Sequence, residues 1–260
     1  MEKKDNRFYI KEFARLENEE IEKTLLDFPN EETWMIEIFK LIQFFEKSDL
    51  RMGTKWRTSI LLSQVISKEI LLCFLSFLRK HTSQAYSCMR SAIEAAGFMN
   101  AIRIDEKKAR IWMKKPLEKE DEEFKKLQRE RWIGDFGQTL KPKYKLASEM
   151  CHPNLFKTVH WTKSKLDKDN KRIIDSFSFF DEFKNKKIFR STMNYLIGTC
   201  FNILELYCDV FAEAFQKNDF KNKINEKFDN YKKYLQENVK DIISNPELLK
   251  SLTKINEKPS

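Results

Sequence analysis

The chain has 260 residues and a formal net charge of +9, with only 5 Gly and 6 Pro. Average proteins use about 7% Gly and about 5% Pro, so the scarcity of helix breakers excludes collagen-like and Pro/Gly-rich disordered chains and favours long helices. Residues 1–12 are charged and lack the apolar core of a signal peptide. The five cysteines form no CxxC pair, which is typical of free thiols in a reducing cytosol. We therefore predict a cytoplasmic helical protein without a metal or a cofactor.

Four stretches in the first part of the chain repeat apolar residues at helical spacing. They are residues 8–28, 30–47, 56–79 and 83–103. Pro29 ends the first helix, and Asn30 is the predicted N-cap of the second, whose first turn is acidic. The third is apolar nearly all round, which predicts a position at the centre of a bundle. Thr82 or Ser83 is the predicted N-cap of the fourth.

The longest apolar run, residues 60–78, has nearly the length of a membrane span. Lys68 and Glu69 stand at its middle, and two charges at the centre of a bilayer would be costly. We therefore expect a buried helix and no membrane partner.

The second part of the chain predicts further helices around one short β-hairpin. The helices are residues 105–113, 118–132, 143–151, 181–215 and 220–243, with a further helix start at 244. Apolar and β-branched runs at 158–161 and 172–177 flank a polar tip at 168–171, which predicts the hairpin. Gly198 lies inside the longest predicted helix, where glycine lowers helix stability by about 1 kcal/mol relative to alanine. A glycine at such a position indicates that another helix crosses closely there.

The predicted fold class is all-α, a helical bundle with long central helices and one small β-hairpin near 158–178. We expect one domain: acidic N-terminal helices (1–55) packed on a core bundle with the hairpin insertion (56–216), followed by C-terminal helices (217–260). Residues 1–55 hold 10 basic and 13 acidic residues, which leaves a charge of +12 on the rest of the chain. A basic body favours a polyanionic partner, although a lysine-rich soluble surface would give the same composition.

A stripe of small and polar residues marks the helix at 83–103. It contains Ser87, Arg90, Glu94, Gly97 and Ala101 at spacings of three and four. Arg90 and Glu94 are i,i+4 neighbours that can pair with each other. One interpretation is a structural ion pair inside the bundle. In the other, Arg90 contacts a phosphate or carboxylate and is oriented by Glu94.

His152 is the third candidate for a catalytic residue. Tyr144, Ser148 and His152 are spaced by four and share a helix face, and Pro153 ends that helix. The negative end of the helix dipole favours the charged imidazole, which suits a general acid near neutral pH. The structural alternative is a histidine that caps a free carbonyl.

A basic stretch covers residues 141–172, with nine basic and three acidic residues. Basic side chains interleaved with aromatic ones are typical of surfaces that bind single-stranded nucleic acid. The candidate binding residues are Lys141, Lys143, Lys145, Trp161, Lys163 and Lys165. The aromatic residues would also fit the buried face of the hairpin.

Together these motifs resemble uncharacterised bacterial helical families of the HEPN class (higher eukaryotes and prokaryotes nucleotide-binding). The resemblance covers about residues 56–215. It is carried by the run Ser-Cys-Met-Arg-Ser-Ala-Ile-Glu-Ala-Ala at 87–96, the segment 105–112, and Tyr144, Ser148 and His152-Pro-Asn. It implies a helical bundle linked to RNA cleavage in phage defence or toxin systems.

The chain departs from the Arg-x(4–6)-His motif of HEPN ribonucleases. The positions with that spacing before His152 are Lys145, Leu146 and Ala147. Lys145 lacks the planar guanidinium that grips phosphate, and the windows before His81 and His160 hold no Arg either. Arg90, on another helix, is the residue that could supply the guanidinium.

The leading hypothesis is therefore a cytosolic HEPN-like protein that binds nucleic acid, with RNA as the expected partner, as part of a prokaryotic defence or toxin module. An alternative is a metal-independent ribonuclease that uses His152 as acid or base and Arg90 to stabilise phosphate. A third is a non-catalytic interaction protein whose acidic N-terminal helices and basic body dock a protein partner or a second copy.

Overall fold

The computed structural model describes residues 6–47, 56–114, 137–151, 162–167, 172–177, 186–212 and 219–239. Within these ranges the chain forms eight α-helices and one two-stranded antiparallel sheet. In chain order the elements are α1 (Asn6–Asp27), α2 (Pro29–Glu46), α3 (Arg57–Leu78), α4 (Thr82–Ile104), α5 (Lys107–Lys114), α6 (Gly137–Cys151), β1 (Thr162–Asp167), β2 (Arg172–Phe177), α7 (Lys186–Val210) and α8 (Asp219–Asn238). The predicted all-α fold class is confirmed. The helices predicted at 118–132 and from 244 lie outside the described residues.

Two predicted N-caps are wrong. α2 begins at Pro29, and Phe28 occupies the cap position without a side-chain hydrogen bond. Proline suits the first helical position because its φ is preset and it has no N–H to satisfy, so Asn30 lies inside the helix. α4 likewise begins at Thr82 after His81, and the His81 carbonyl accepts the Ala85 N–H at 3.0 Å.

A left-handed turn joins α3 to α4. Lys80 has a φ of 60°, the conformation that commonly ends a helix and that glycine adopts most easily. The His81 N–H donates to the Ser76 carbonyl at 2.8 Å, and the Lys80 N–H donates to Phe77 at 2.9 Å. The Lys80 ammonium also forms a salt bridge with Glu20 of α1, so α1 contacts this turn.

One contiguous core holds the bundle together. α3 and α4 pack along their lengths, α4 also packs on α6 and α7, and α2 and α8 cover α7. Small buried residues on α4 let its neighbours approach closely; they include Ala85, Ala92, Ala96 and Gly97. Aromatic rings fill the space between α2, α7 and α8, and Phe45 lies 4.8 Å from Tyr207 between ring centroids.

α3 differs from its predicted position at the centre of the bundle. Its packing on α4, α1 and α7 covers only one side. Leu61, Val65, Leu71 and Leu72 are 36–44% exposed. The apolar composition therefore reflects a buried side and an exposed apolar side, and the prediction of burial all round is wrong.

α6 begins at Gly137, earlier than the predicted start at 143, and continues through Pro142. An interior proline removes one backbone hydrogen bond and costs about 3 kcal/mol. Leu140 in the first turn of α6 is 4% exposed. Its burial stabilises the start of the helix and offsets part of the cost of Pro142.

The two strands lie within the region predicted to form a hairpin. β1 and β2 pair antiparallel, with Lys163 opposite Ser176, Lys165 opposite Ile174 and Asp167 opposite Arg172. β1 and β2, here together called the ribbon, follow α6 in the chain and precede α7.

Candidate functional site at Arg90

Arg90 and Glu94 of α4 meet Tyr144 of α6 at the surface of the bundle. Arg90 Nε donates to Glu94 Oε1 at 2.9 Å, and the Tyr144 hydroxyl donates to the same oxygen at 2.9 Å. The guanidinium carbon lies 5.6 Å from the centroid of the Tyr144 ring. The pairing of Arg90 with Glu94 predicted from their spacing is therefore present, and α6 adds a third member that orients the carboxylate.

Cys151, the last residue of α6, completes this cluster. Arg90 Nη1 lies 3.7 Å from the Cys151 Sγ, and the thiol donates to the Ser148 carbonyl at 3.2 Å. The guanidinium thus spans from Glu94 to the C-terminal end of α6. His152 follows Cys151 in the chain and lies outside the described residues.

The electrostatics of the cluster keep Arg90 charged and Tyr144 protonated. A hydrogen bond to Cys151 raises the pKa of Arg90; partial burial opposes this, and Glu94 adds to it. Burial, and then the hydrogen bond to Glu94, raise the pKa of Tyr144. The side chains of Arg90 and Glu94 are 32% and 34% exposed, so a phosphate from solvent can reach the guanidinium without the bundle opening.

The predicted nucleic-acid residues on α6 separate into two faces. Lys141 and Lys145 are exposed, and Lys145 Nζ lies 3.9 Å from Glu149 Oε1. Lys143 turns inward, with its Nζ 5.5 Å from the centroid of the Tyr195 ring. Burial lowers the pKa of Lys143 to about 8. The prediction that Lys143 shares a binding surface with its neighbours is therefore wrong, because residues two apart on a helix face nearly opposite directions.

The remaining predicted residues fall in or before the ribbon. Lys163 and Lys165 occupy alternate positions of β1, and alternate positions of a strand share one face. Trp161 lies outside the described residues.

A buried polar network around Glu31 is missing from the sequence-based prediction. Glu31 is fully buried in the first turn of α2. Its Oε1 lies 3.1 Å from Arg190 Nε and accepts hydrogen bonds from Asn194 Nδ2 at 3.1 Å and from the Tyr234 hydroxyl at 2.6 Å. Tyr231 in turn donates to the Asn194 carbonyl at 2.6 Å. The network ties α2, α7 and α8 together, so its role is structural.

A sequence signal for this network exists. Glu31, Met35, Ile38, Ile42 and Phe45 are buried at spacings of four and three. The carboxylate therefore stands in line with the apolar stripe of α2, where a charge needs a buried partner.

Among the described residues, no group of three or more His, Cys, Asp and Glu side chains could hold a metal ion. By length and composition alone α3 could cross a membrane, a test that the core helix of a soluble protein also passes. No family model, curated protein or solved structure matches the chain.

Proposed function

We propose that this chain binds RNA through the ribbon and the exposed lysines of α6. The supporting observation is the register of the ribbon. Lys163 and Lys165 are alternate positions of β1, and Arg172 stands opposite Asp167. Residues opposite each other in an antiparallel pair share a face, so one face of the ribbon carries three basic positions and one acidic position.

Charge outside the ribbon supports the same proposal. Lys141 and Lys145 are exposed on α6, the helix that precedes the ribbon in the chain. Two-stranded ribbons are an established shape for contacting the grooves of DNA, and each phosphate of a nucleic acid that a basic side chain neutralises releases counterions. A role in a prokaryotic defence or toxin module, which the resemblance to HEPN-class families implies, belongs to this proposal.

The test is the salt dependence of binding to a labelled single-stranded RNA, measured by fluorescence anisotropy. Contacts from the five basic residues Lys141, Lys145, Lys163, Lys165 and Arg172 predict a slope of log K against log salt of about −3.5. The pair Lys163→Gln/Lys165→Gln should reduce the magnitude of that slope by about 1.4. The matched control is Lys11→Gln/Lys23→Gln, which removes the same charge from exposed positions of α1.

Two outcomes would count against the proposal. Absence of salt-dependent affinity below about 200 mM salt would exclude nucleic-acid binding. If Lys163→Gln/Lys165→Gln and Lys11→Gln/Lys23→Gln weaken RNA binding equally, the RNA responds only to the net charge of the protein and not to a site on the ribbon. If the chain binds single-stranded DNA and single-stranded RNA with equal affinity, the ligand would be nucleic acid in general and not RNA in particular.

Metal-independent RNA cleavage is the second candidate function, favoured by the position of Arg90. The guanidinium is 32% exposed and contacts Cys151, the residue that precedes His152. In this proposal His152 transfers a proton as general acid or base, Arg90 stabilises the charge that develops on phosphate, and Glu94 orients Arg90.

The test is cleavage of end-labelled RNA in the presence of EDTA. His152→Ala should abolish cleavage and leave the melting temperature nearly unchanged. Arg90→Lys keeps the charge but loses the planar fork, so it should lose most of the activity if the guanidinium grips phosphate. Cleavage that persists in His152→Ala, or no cleavage by the wild type, would contradict the proposal of RNA cleavage at this site. Neither outcome would contradict the proposal of RNA binding.

A further inference from the structure

α1 contacts the bundle with little buried apolar surface. Among residues 10–27 of this helix only Thr24 is buried. Ile21 and Leu25 pack against the core but remain partly exposed. α2, by comparison, buries six of its residues. Since the hydrophobic contribution scales with the apolar area removed from water, polar contacts carry a large share of the attachment of α1.

These polar contacts join acidic residues of α1 to the turn between α3 and α4. Glu17 Oε1 lies 3.0 Å from His81 Nε2, and Glu17 Oε2 lies 3.8 Å from Arg79 Nε. Glu20 forms a salt bridge with Lys80. Three consecutive residues of the turn, each able to donate hydrogen bonds, are therefore covered by two carboxylates of one helix.

A fourth basic residue extends the contact to the end of α1. Lys186, the first residue of α7, donates to Asp27 Oδ1 at 2.7 Å. Glu17 and Asp27 are ten residues apart, which is about 15 Å along a helix. The four basic residues that α1 contacts over this length are here called the basic row: Arg79, Lys80, His81 and Lys186.

α1 carries a second set of acidic residues that is neutralised differently. Glu12 and Glu19 both pair with Arg15 of the same helix, and all three side chains are at least 43% exposed. Glu17 pairs instead with residues of the bundle and is 17% exposed. The carboxylates that face the basic row therefore stand where the phosphates of a nucleic acid would meet the same basic side chains.

We propose that the basic row is a second contact surface for RNA and that RNA displaces α1 from it. This inference rests on the proposed function, because it extends RNA binding to another part of the bundle. Partly exposed ion pairs are individually weak and are screened by salt. An RNA strand offers many phosphates and releases counterions as each is neutralised, so it competes with three carboxylates of α1 for the same side chains.

The exposure of the basic row gives RNA a place to begin. The Arg79 and Lys186 side chains are 35% and 72% exposed while α1 is in place. Lys80 and His81 are 24% and 20% exposed, so full contact with them requires α1 to move. α1 thus lowers the affinity for RNA in proportion to the time that it spends on the basic row.

The test compares RNA binding by two variants that lose the same number of negative charges. The release variant removes the three carboxylates that face the basic row: Glu17→Gln/Glu20→Gln/Asp27→Asn. The control removes three exposed carboxylates: Glu22→Gln/Glu226→Gln/Glu237→Gln. Fluorescence anisotropy with a labelled single-stranded RNA should show about tenfold tighter binding by the release variant than by the control at about 100 mM salt. The slope of log K against log salt should be steeper by about 2.1, which is about 0.7 for each of Arg79, Lys80 and Lys186.

Hydrogen exchange of the wild type gives a second readout that needs no substitution. Saturating RNA should raise the amide exchange rates of residues 10–27 about tenfold and leave those of α2 unchanged, because displacement opens α1 alone. Unchanged or slower exchange in α1 would overturn the proposal, as would equal affinity of the release variant and the control.

The ribbon variant separates a failure of this inference from a failure of the proposed function. If Lys163→Gln/Lys165→Gln weakens RNA binding while the release variant behaves as the control, RNA binding by the ribbon is supported and displacement of α1 is wrong. If the wild type, the release variant and the control all fail to bind RNA, both proposals are wrong. Binding by the release variant alone would support displacement of α1 from the basic row.

Discussion

The Tyr234 hydroxyl donates a 2.6 Å hydrogen bond to Glu31 Oε1, which joins α8 to the first turn of α2. The same oxygen lies 3.1 Å from Arg190 Nε of α7. Glu31 is fully buried, so the hydrogen bonds from Tyr234 and Asn194 and the charge of Arg190 take the place that water would have around an exposed carboxylate. The buried carboxylate of Glu31 therefore links α2 to α7 and α8. Substitution of Glu31 tests how much this link contributes to the stability of the fold.

Glu31→Ala should lower the free energy of unfolding by about 3–5 kcal/mol, because it leaves the partly buried Arg190 without its carboxylate. Glu31→Gln keeps the shape and should cost less. Urea denaturation monitored by circular dichroism measures both. Glu32→Ala, in the same turn of α2, is the control and should change stability by less than about 0.5 kcal/mol. Equal losses at the two positions would show that the network adds nothing beyond helix propensity.

The sequence predicts the local part of this structure well and the tertiary part poorly. The i,i+4 spacing predicts the pairing of Arg90 with Glu94, because both residues belong to one helix. The contact of Arg90 with Cys151 joins residues 61 positions apart, so it depends on how α4 packs on α6. The burial of Glu31 depends on α7 and α8 in the same way.

Two errors have identifiable physical causes. α3 is apolar nearly all round, and composition cannot distinguish a helix buried on all sides from one that leaves an apolar side exposed. The sequence places Lys141, Lys143 and Lys145 close together in one basic stretch, which predicts one shared surface. Once α6 extends back to Gly137, the helical period places Lys143 opposite the other two, so an earlier helix start would have predicted its inward position.

Lys143 should destabilise the fold at neutral pH. Burial lowers its pKa to about 8, whereas in the unfolded chain the ammonium keeps its proton up to about pH 10.4. Below pH 8 the folded state must bury the charge, and the penalty fades as pH rises from 8 to 10.4 because the unfolded state then binds more protons. Lys143→Met should therefore raise the free energy of unfolding at pH 7 by up to about 3 kcal/mol.

The pH dependence separates this charge effect from better packing. The gain from Lys143→Met should shrink to nearly zero by about pH 11, since the amine is then neutral in both states. Lys145→Met, at an exposed position of the same helix, should show no such pH-dependent gain. A constant advantage for Lys143→Met at every pH would mean that the methionine simply packs better.

Gly198 lies where α8 crosses α7, and alanine should fit there. A Cβ at this position would meet Tyr231 Cε1 at 3.6 Å and Lys143 Nζ at 4.0 Å, both ordinary van der Waals distances. Gly198→Ala should therefore gain most of the helix-propensity difference, about 0.5–1 kcal/mol. Gly198→Leu should destabilise, because its larger side chain would displace Tyr231. Thermal unfolding measures both, and a loss of stability with alanine would show that the crossing tolerates no Cβ.

Cys151 should be the fast-reacting thiol of the native protein. The other four cysteines are buried, while Cys151 is partly exposed. Burial raises the pKa of Cys88 and Cys208 to about 11, which disfavours the thiolate that reacts with electrophiles. Titration with Ellman's reagent at pH 8 should show one rapid thiol in the folded protein and all five in urea. Cys151→Ser should abolish the rapid phase and Cys88→Ser should keep it; a rapid phase that survives Cys151→Ser would mean that a buried thiol becomes accessible through local opening of the bundle.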